Sequence, residues 1–404
     1  MANTLNLGNG DWATKENSLL GYNSESGNYK PLPFDFTRAS SATVVNKSGL
    51  IETAANGTPR IDFLGNTSGA LLLEPQRSNL TTYSSDYSNA SWSKSESSVS
   101  NGFISPDGTL NAKKLTESTS NSKHQIFTTI SSYTELTISF FAKKAERSFI
   151  SVEKSNWGST VFDLNNGSVV SGTGNVVDFG NGWYRCSATY TASPAQSQFY
   201  ILLMKDENTV AYQGDGTSGL YLWGCQAEVG SYATSYIPTQ GSAVTRVADE
   251  KTNVSLPSNI APQSEGTIFF NINRKGSTGV TNQELIVLET PSRADGGLIR
   301  VLTQSTKNVI RVLFQIDGGI PFDVNVLGAN TPFNTDLKIA IAFKSGQNAI
   351  YINGIETNTG TGTFTIPEKF DNFYLNFSRE ASTFKDVRLY NTRLSNSELA
   401  ALTS

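Results

Sequence analysis

The sequence predicts an all-β protein: tandem antiparallel β-sandwiches of the jelly-roll kind, preceded by an extended N-terminal arm and closed by one short C-terminal helix. Three observations carry this. Apolar residues recur with period two, as where Leu337, Ile339, Ile341 and Phe343 alternate with Lys338, Ala340, Ala342 and Lys344. Turn pairs such as Asn181-Gly182, Asp317-Gly318 and Asn353-Gly354 punctuate those runs, and their residues tolerate the positive φ that tight hairpins need. Charged residues are only 16% of the chain while 34 are glycine, a balance unlike that of a helical bundle.

The 404 residues are enough for two or three cores. Residues 1–35 are polar and lack sustained periodicity; Trp12, Leu19, Leu20, Tyr22 and Tyr29 are scattered apolar anchors, a pattern expected of an arm that orders on a partner. Residues 36–80 hold four short runs (ATVV, GLIET, PRIDF, ALLLEP) and read as a small β module. From 81 to 247 about eight strand signals recur; Leu136, Ile138 and Phe140 alternate with Thr137 and Ser139, and residues 163–167 (DLNNG) form a turn. That spacing predicts a two-sheet sandwich. A linker at 248–264, with Pro257 and Pro262, leads to a second sandwich over 265–404. Ser395 and Glu398 have capping-box spacing and start a helix through LAAL.

Several function classes are excluded or disfavoured. A net charge of −4 without a Lys/Arg run argues against nucleic-acid binding. No apolar stretch approaches the ~20 residues that span a bilayer, so membrane insertion is not expected. The start MANTLNLGNGDWATKEN lacks the features of a secretory leader, and the expectation is folding in a cytoplasm with release by lysis. In that setting Cys186 and Cys225 are read as buried, inert thiols, with pairing left open. The single histidine, His124, excludes a multi-histidine metal site and is read as a strand residue, not a triad base. No phosphate-cradling glycine motif occurs. No catalytic residue, metal site or cofactor is assigned, although the Asp215-Gly216 turn is a candidate for structural calcium.

Sugar binding needs an aromatic face with amides or carboxylates nearby. Trp157 beside Asn156, in KSNWGST, and Tyr212 beside Gln213 are the loop aromatics that fit, and these four residues are the glycan-binding candidates. Trp183, Tyr221 and Trp223 sit in strand runs and are read as packing.

Three stretches resemble known families. FTRASSATVVNKSGLIETAANGTPRIDF (36–63) with LLLEPQRSNL (71–80) resembles an N-terminal module of phage tail and virion appendage proteins. SPDG (105–108), FDLNNG (162–167), GNGWYR (180–185), YLWGCQAE (221–228), SYIPT (235–239) and AVTR (243–246) are similar to the carbohydrate-binding-module-like jelly roll that follows it in such proteins. NAIYING (348–354), FKDVRLYN (384–391) and the Leu394–Leu402 end look like a concanavalin A-like or laminin-G-like lectin domain. The first arm resembles the starts of crAss-like phage structural proteins.

The resemblance implies a non-enzymatic virion protein, on head or tail fibre, assembled in the bacterial cytoplasm. Its partners would be other virion proteins, further copies of itself as trimer or dimer, and a host cell-surface glycan. Trp12, Leu19, Leu20, Tyr22 and Tyr29 would then be virion anchors. Related readings are a receptor-binding lectin and a glycan depolymerase. Lectin-like glucanases carry Glu-x-Asp and then a second Glu on one strand; here Glu284 and Glu289 bracket such a run, but Ile286 stands where the Asp belongs.

Overall fold

The computed structural model describes residues 4–15, 18–23, 32–154, 158–250, 252–258, 260–277, 283–293, 296–303, 309–326, 334–375 and 380–404. The fold is all-β, with antiparallel sheets and one short helix, Asn396–Thr403. The chain forms two compact units, one of residues 1–41, 54–76 and 247–404 (the terminal unit) and one of 42–53 and 77–246 (the central unit). The 36–80 stretch is thus not a unit of its own: 42–53 and 77–80 belong with the central sandwich and the remainder with the terminal one.

In the central unit, alternation places one core between two layers. The strands Asn121–Lys144 and Trp183–Met204 pair antiparallel almost throughout, with register shifts between Thr129 and Glu135. Their two halves have different neighbours, so the pair serves both layers. Residues 137–144 take Gly219–Glu228 as a further partner, residues 125–127 take Ser93–Ser95 and residues 121–123 take Ala211–Gln213. Phe149–Lys154 extends the second layer through residues 199–204. Leu136, Ile138 and Phe140 from one layer meet Ile126, Ile201 and Leu203 from the other in a single buried cluster. Gly224 adds one residue to the strand Gly219–Glu228 opposite Phe140; its φ of +59° suits glycine, and a Cβ there would lie 2.9 Å from Phe141 Cδ2. This bulge keeps Leu222, Cys225 and Ala227 in the core, while Gln226 and Glu228 are buried against residues 234–237, Gln226 accepting from the Ile237 amide and Glu228 from the Thr234 hydroxyl.

Among the described residues of the terminal unit, 17 strands make one hydrogen-bonded network. Ile268, Phe270 and Ile272 of Glu265–Ser277 face a core shared with Ile286, Leu288 and Ile299. Leu337, Ile339, Ile341 and Phe343 join it as the sequence predicts. The small side chains of Ala340, Ala342 and Ala349 on the other face receive Leu399 of the helix, whose start carries the expected capping box.

The segment read as an arm for a partner contributes strands to this sandwich. Thr4–Gly8 pairs with residues 386–390, beside Ala70–Leu73 on the same long strand, and thereby covers an edge that would otherwise expose unpaired backbone groups. Ser18–Asn23 pairs with both Thr4–Gly8 and Leu32–Asp35. Leu5, Leu7 and Leu19 are 2% exposed or less in the unit's own core. Trp12 is half-buried and its Nε1 donates to Gly69 O at 3.1 Å; Leu20 is also half-buried. Tyr22 lies opposite Asn6 in register, and Tyr29 is outside the described residues. Among the described residues no helix is long and apolar enough to cross a membrane.

Candidate functional site

The outer face of the second layer in the central unit brings together the groups that sugar recognition needs. Because Ile126, Phe199, Ile201 and Leu203 point into the core, Phe127 and Tyr200 point away from it. Register places them on one rung, in the order Ser93, Phe127, Tyr200, Glu153 and Ser159. The rings of Phe127 and Tyr200 stand 5.2 Å apart at 36° and are half-buried, so they form one apolar patch held from beneath. Polar groups surround it. Tyr200 Oη donates to Gln198 Oε1 at 2.9 Å, and Lys123 Nζ lies 3.1 Å from Glu153 Oε2. Gln125 and Thr129 flank Phe127 on its own strand. Two rings ringed by amide, hydroxyl, ammonium and carboxylate can take the C–H face of a pyranose and its hydroxyls together. Sequence reasoning missed this pair, and the signal was phase: in QIF and FYI the aromatic falls on the polar beat of the alternation.

The residues chosen from sequence are placed otherwise. Asn156 and Trp157 lie outside the described residues. Tyr212 is not a loop aromatic; it is the centre of the strand Ala211–Gln213 and only 4% exposed. Its Oη donates to Glu117 Oε2 at 2.8 Å, its ring packs against His124 at 4.7 Å between centroids, and the Arg147 guanidinium lies 5.2 Å from its centroid. No open face is left for a sugar. Gln213 is exposed, and its amide donates to Thr119 O.

Glu117 anchors this corner. Burial pushes its carboxyl pKa up, but two hydrogen bonds from Arg147, both at 2.7 Å, one from the Asp215 amide at 2.9 Å and that of Tyr212 outweigh burial and hold it below the usual range. Asp215 is lowered by hydrogen bonds from Ser218 and Thr217. Both its oxygens are engaged within the turn, Oδ1 by Thr217 and Oδ2 by the Ser218 hydroxyl at 2.6 Å. Among the described residues no group of three His, Cys, Asp or Glu is placed to hold a metal ion. His124 is fully buried, with Nδ1 2.7 Å from Glu96 O and Nε2 3.1 Å from Tyr212 O. Cys186 and Cys225 are buried free thiols. Trp183 and Trp223 are each 2% exposed, whereas Tyr221 is half-buried.

Glu284 and Glu289 are both engaged by arginine: Glu289 lies 2.8 Å from Arg293 Nε and accepts from the Tyr374 hydroxyl, and Glu284 lies 3.8 Å from Arg300. No carboxylate stands at Ile286 between them, and the strand is an interior one, paired with Gly297–Thr303 on one side and Asn372–Leu375 on the other, whose acidic ends are spent on ion pairs.

The motif residues that suggested a phage module are structural. Arg38 Nη1 donates to Asp249 Oδ1 at 3.0 Å, Arg60 Nη2 donates to Asp249 Oδ2, and Arg60 Nη1 donates to Glu74 Oε2 at 2.7 Å, all buried. Burial opposes the Arg60 charge, yet Asp249 and Glu74 hold its pKa above the ordinary value. In the central unit Asn79 spends its whole side chain on backbone and hydroxyl partners around Cys225, Ile237, Ala227 and Thr81.

Comparison with known proteins adds little to this geometry. No family model matches the chain. No curated protein matches either. Among solved structures, the receptor-binding domain of botulinum neurotoxin mosaic serotype C/D aligns at 16% identity over 38% of this chain and 39% of its own, with a TM-score of 0.33. The binding domain of botulinum neurotoxin DC, solved with rat synaptotagmin II, aligns at 17% over 39% and 40%, with a TM-score of 0.33. The CBM40 of the Ruminococcus gnavus IT-sialidase, solved with α2,3-sialyllactose, aligns at 17% over 38% of this chain and 94% of its own, with a TM-score of 0.31. The chain spans about two fifths of the neurotoxin domains it matches.

Proposed function

We propose that the chain is a non-catalytic recognition protein of a bacteriophage particle, and that the Phe127–Tyr200 face of its central sandwich binds a host cell-surface glycan. The observation that carries the binding role is the pair of half-buried rings on one rung, bordered by Gln198, Lys123 and Glu153. The particle assignment rests on the resemblance of residues 36–80 and 105–246 to virion appendage modules. In this reading the chain is assembled in the bacterial cytoplasm, joins head or tail as a dimer or trimer, and makes its assembly contacts through surfaces other than this face. Engagement of Glu284 and Glu289 by arginine speaks against the depolymerase reading.

The test is a bacterial-glycan array probed with the purified chain and with Tyr200→Ala and Phe127→Ala. Specific binding that falls at least tenfold in either variant, with the fold retained, is the expected outcome. Binding untouched by both variants removes this face from the account.

A further inference from the structure

A cavity of about 330 Å³ opens on the other layer of the central unit, walled by Leu50, Ile104, Phe179 and Trp183 with Lys143 and Asn181 among its lining. Lys143 and Trp183 face each other across neighbouring strands, and the Lys143 stem runs beside Gly182, where an added Cβ would come within 3.5 Å of Lys143 Cε. The walls are held rigidly. Asp107 gathers the Ser105 hydroxyl, the Thr109 amide and hydroxyl at 2.8 Å, and the Asn111 amide at 3.0 Å, which fixes the loop after Ile104. Asp178 accepts the Gly180 amide at 2.7 Å and fixes the turn that carries Phe179 and Asn181. Ile104 remains 63% exposed on this built loop, an apolar rim with nothing of the central unit covering it.

The Ser105 hydroxyl in the lining is spent on its own loop, but three other polar groups are not. The Lys143 ammonium makes no ion pair or hydrogen bond among the described residues, nor does the Asn181 side chain. The Trp183 indole N–H also has no protein partner, although the side chain is 2% exposed. No acidic residue lines the cavity. A lone cation with further donors and no acid selects an anion. Apolar walls and a volume at the small end of ligand sites select a compact ring over an extended chain. Donors besides the ammonium select a ligand with hydroxyls as well as a carboxylate.

We propose that this cavity binds a hexuronate, a pyranose bearing a carboxylate, with Lys143 on the carboxylate and Asn181 and the Trp183 N–H on oxygens of the ring. The site is separate from the Phe127–Tyr200 face and does not depend on it. The probe is methyl glucuronide, titrated into the full chain labelled with 5-fluorotryptophan, with the Trp183 resonance assigned through Trp183→Phe. The expected result is a saturable shift of that resonance, at least tenfold weaker affinity for methyl glucoside, and at least tenfold weaker affinity in Lys143→Met. The unliganded spectrum of Lys143→Met reports whether its fold is kept; Lys143→Arg, which keeps the charge, is expected to retain binding. A shift that does not saturate, equal binding of hexanoate, or unchanged affinity in Lys143→Met overturns the proposal. Tyr200→Ala is expected to bind methyl glucuronide as the parent does, so failure at one site leaves the other standing.

Discussion

Replacing Asp249 by Asn removes the charge that two buried arginines share. The carboxylate accepts from Arg38 at 3.0 Å, from Arg60, and from the Glu74 amide at 2.7 Å, and the side chains of both arginines and of Asp249 have no solvent exposure. Arg60 keeps Glu74 as counter-charge, and Arg38 keeps the carbonyls Ser40 O at 2.8 Å and Ala55 O at 2.7 Å. Breaking a buried pair by removing one partner costs about 3–5 kcal/mol; because Glu74 remains, the expected loss is near about 3 kcal/mol. In a unit of this size that corresponds to a midpoint roughly 6–12 °C lower. Trp12 is the tryptophan within the terminal unit's segments, so the 5-fluorotryptophan resonance of Trp12, followed through urea and thermal unfolding, reports the unit in which Asp249 sits. A loss under 1 kcal/mol, the size expected of an exposed pair, refutes the view that this network fixes the terminal unit.

Three further outcomes follow from the central unit. Asn79→Ala removes the side-chain partner of the Ile237 carbonyl and of the Thr81 and Ala227 amides and leaves the Cys225 carbonyl the Thr81 hydroxyl, and is expected to lower urea stability by about 2–4 kcal/mol. Lys154 is 1% exposed, and burial lowers its pKa from 10.5 to about 8. Between those values the unfolded chain holds a proton that the folded chain has released, so stability rises with pH across the window, by at most about 3 kcal/mol. Urea titrations from pH 8 to 10.5 are expected to show this rise in the parent and a flatter profile in Lys154→Met. Burial also pushes the Cys186 and Cys225 thiols well above their ordinary pKa. A thiol reagent is therefore expected to find no cysteine in the native chain and two after unfolding, and fast native labelling would contradict the burial.

What was legible in the sequence is what local chemistry decides. The two-residue beat of 136–140 and 337–343 placed the same residues inward that the cores contain. The turns at Asn181 and Asn353 have the positive φ, 52° and 48°, that their Asn-Gly pairs imply, and Ser395 and Glu398 cap the helix. Long-range pairing was not legible. Leu5 and Leu7 offer two apolar beats, too few to declare a strand, and their partner strand ends at Tyr390. Tyr212 looked exposed because Gly and Asp follow it; its burial depends on Glu117 and Arg147, distant in sequence. Phe127 and Tyr200 were hidden by the opposite error, since an aromatic within an apolar run suggests core until the phase of its neighbours is counted.

The central claim, that this chain recognises sugars through a sheet face and leaves their bonds intact, is tested most directly by calorimetric titration of the array-selected glycan into parent and Tyr200→Ala, with product analysis of the same samples. The account predicts saturable heat in the parent, at least tenfold weaker binding in the variant and an unchanged glycan afterwards. Equal binding by the two chains, or cleaved glycan in the parent sample, would contradict it.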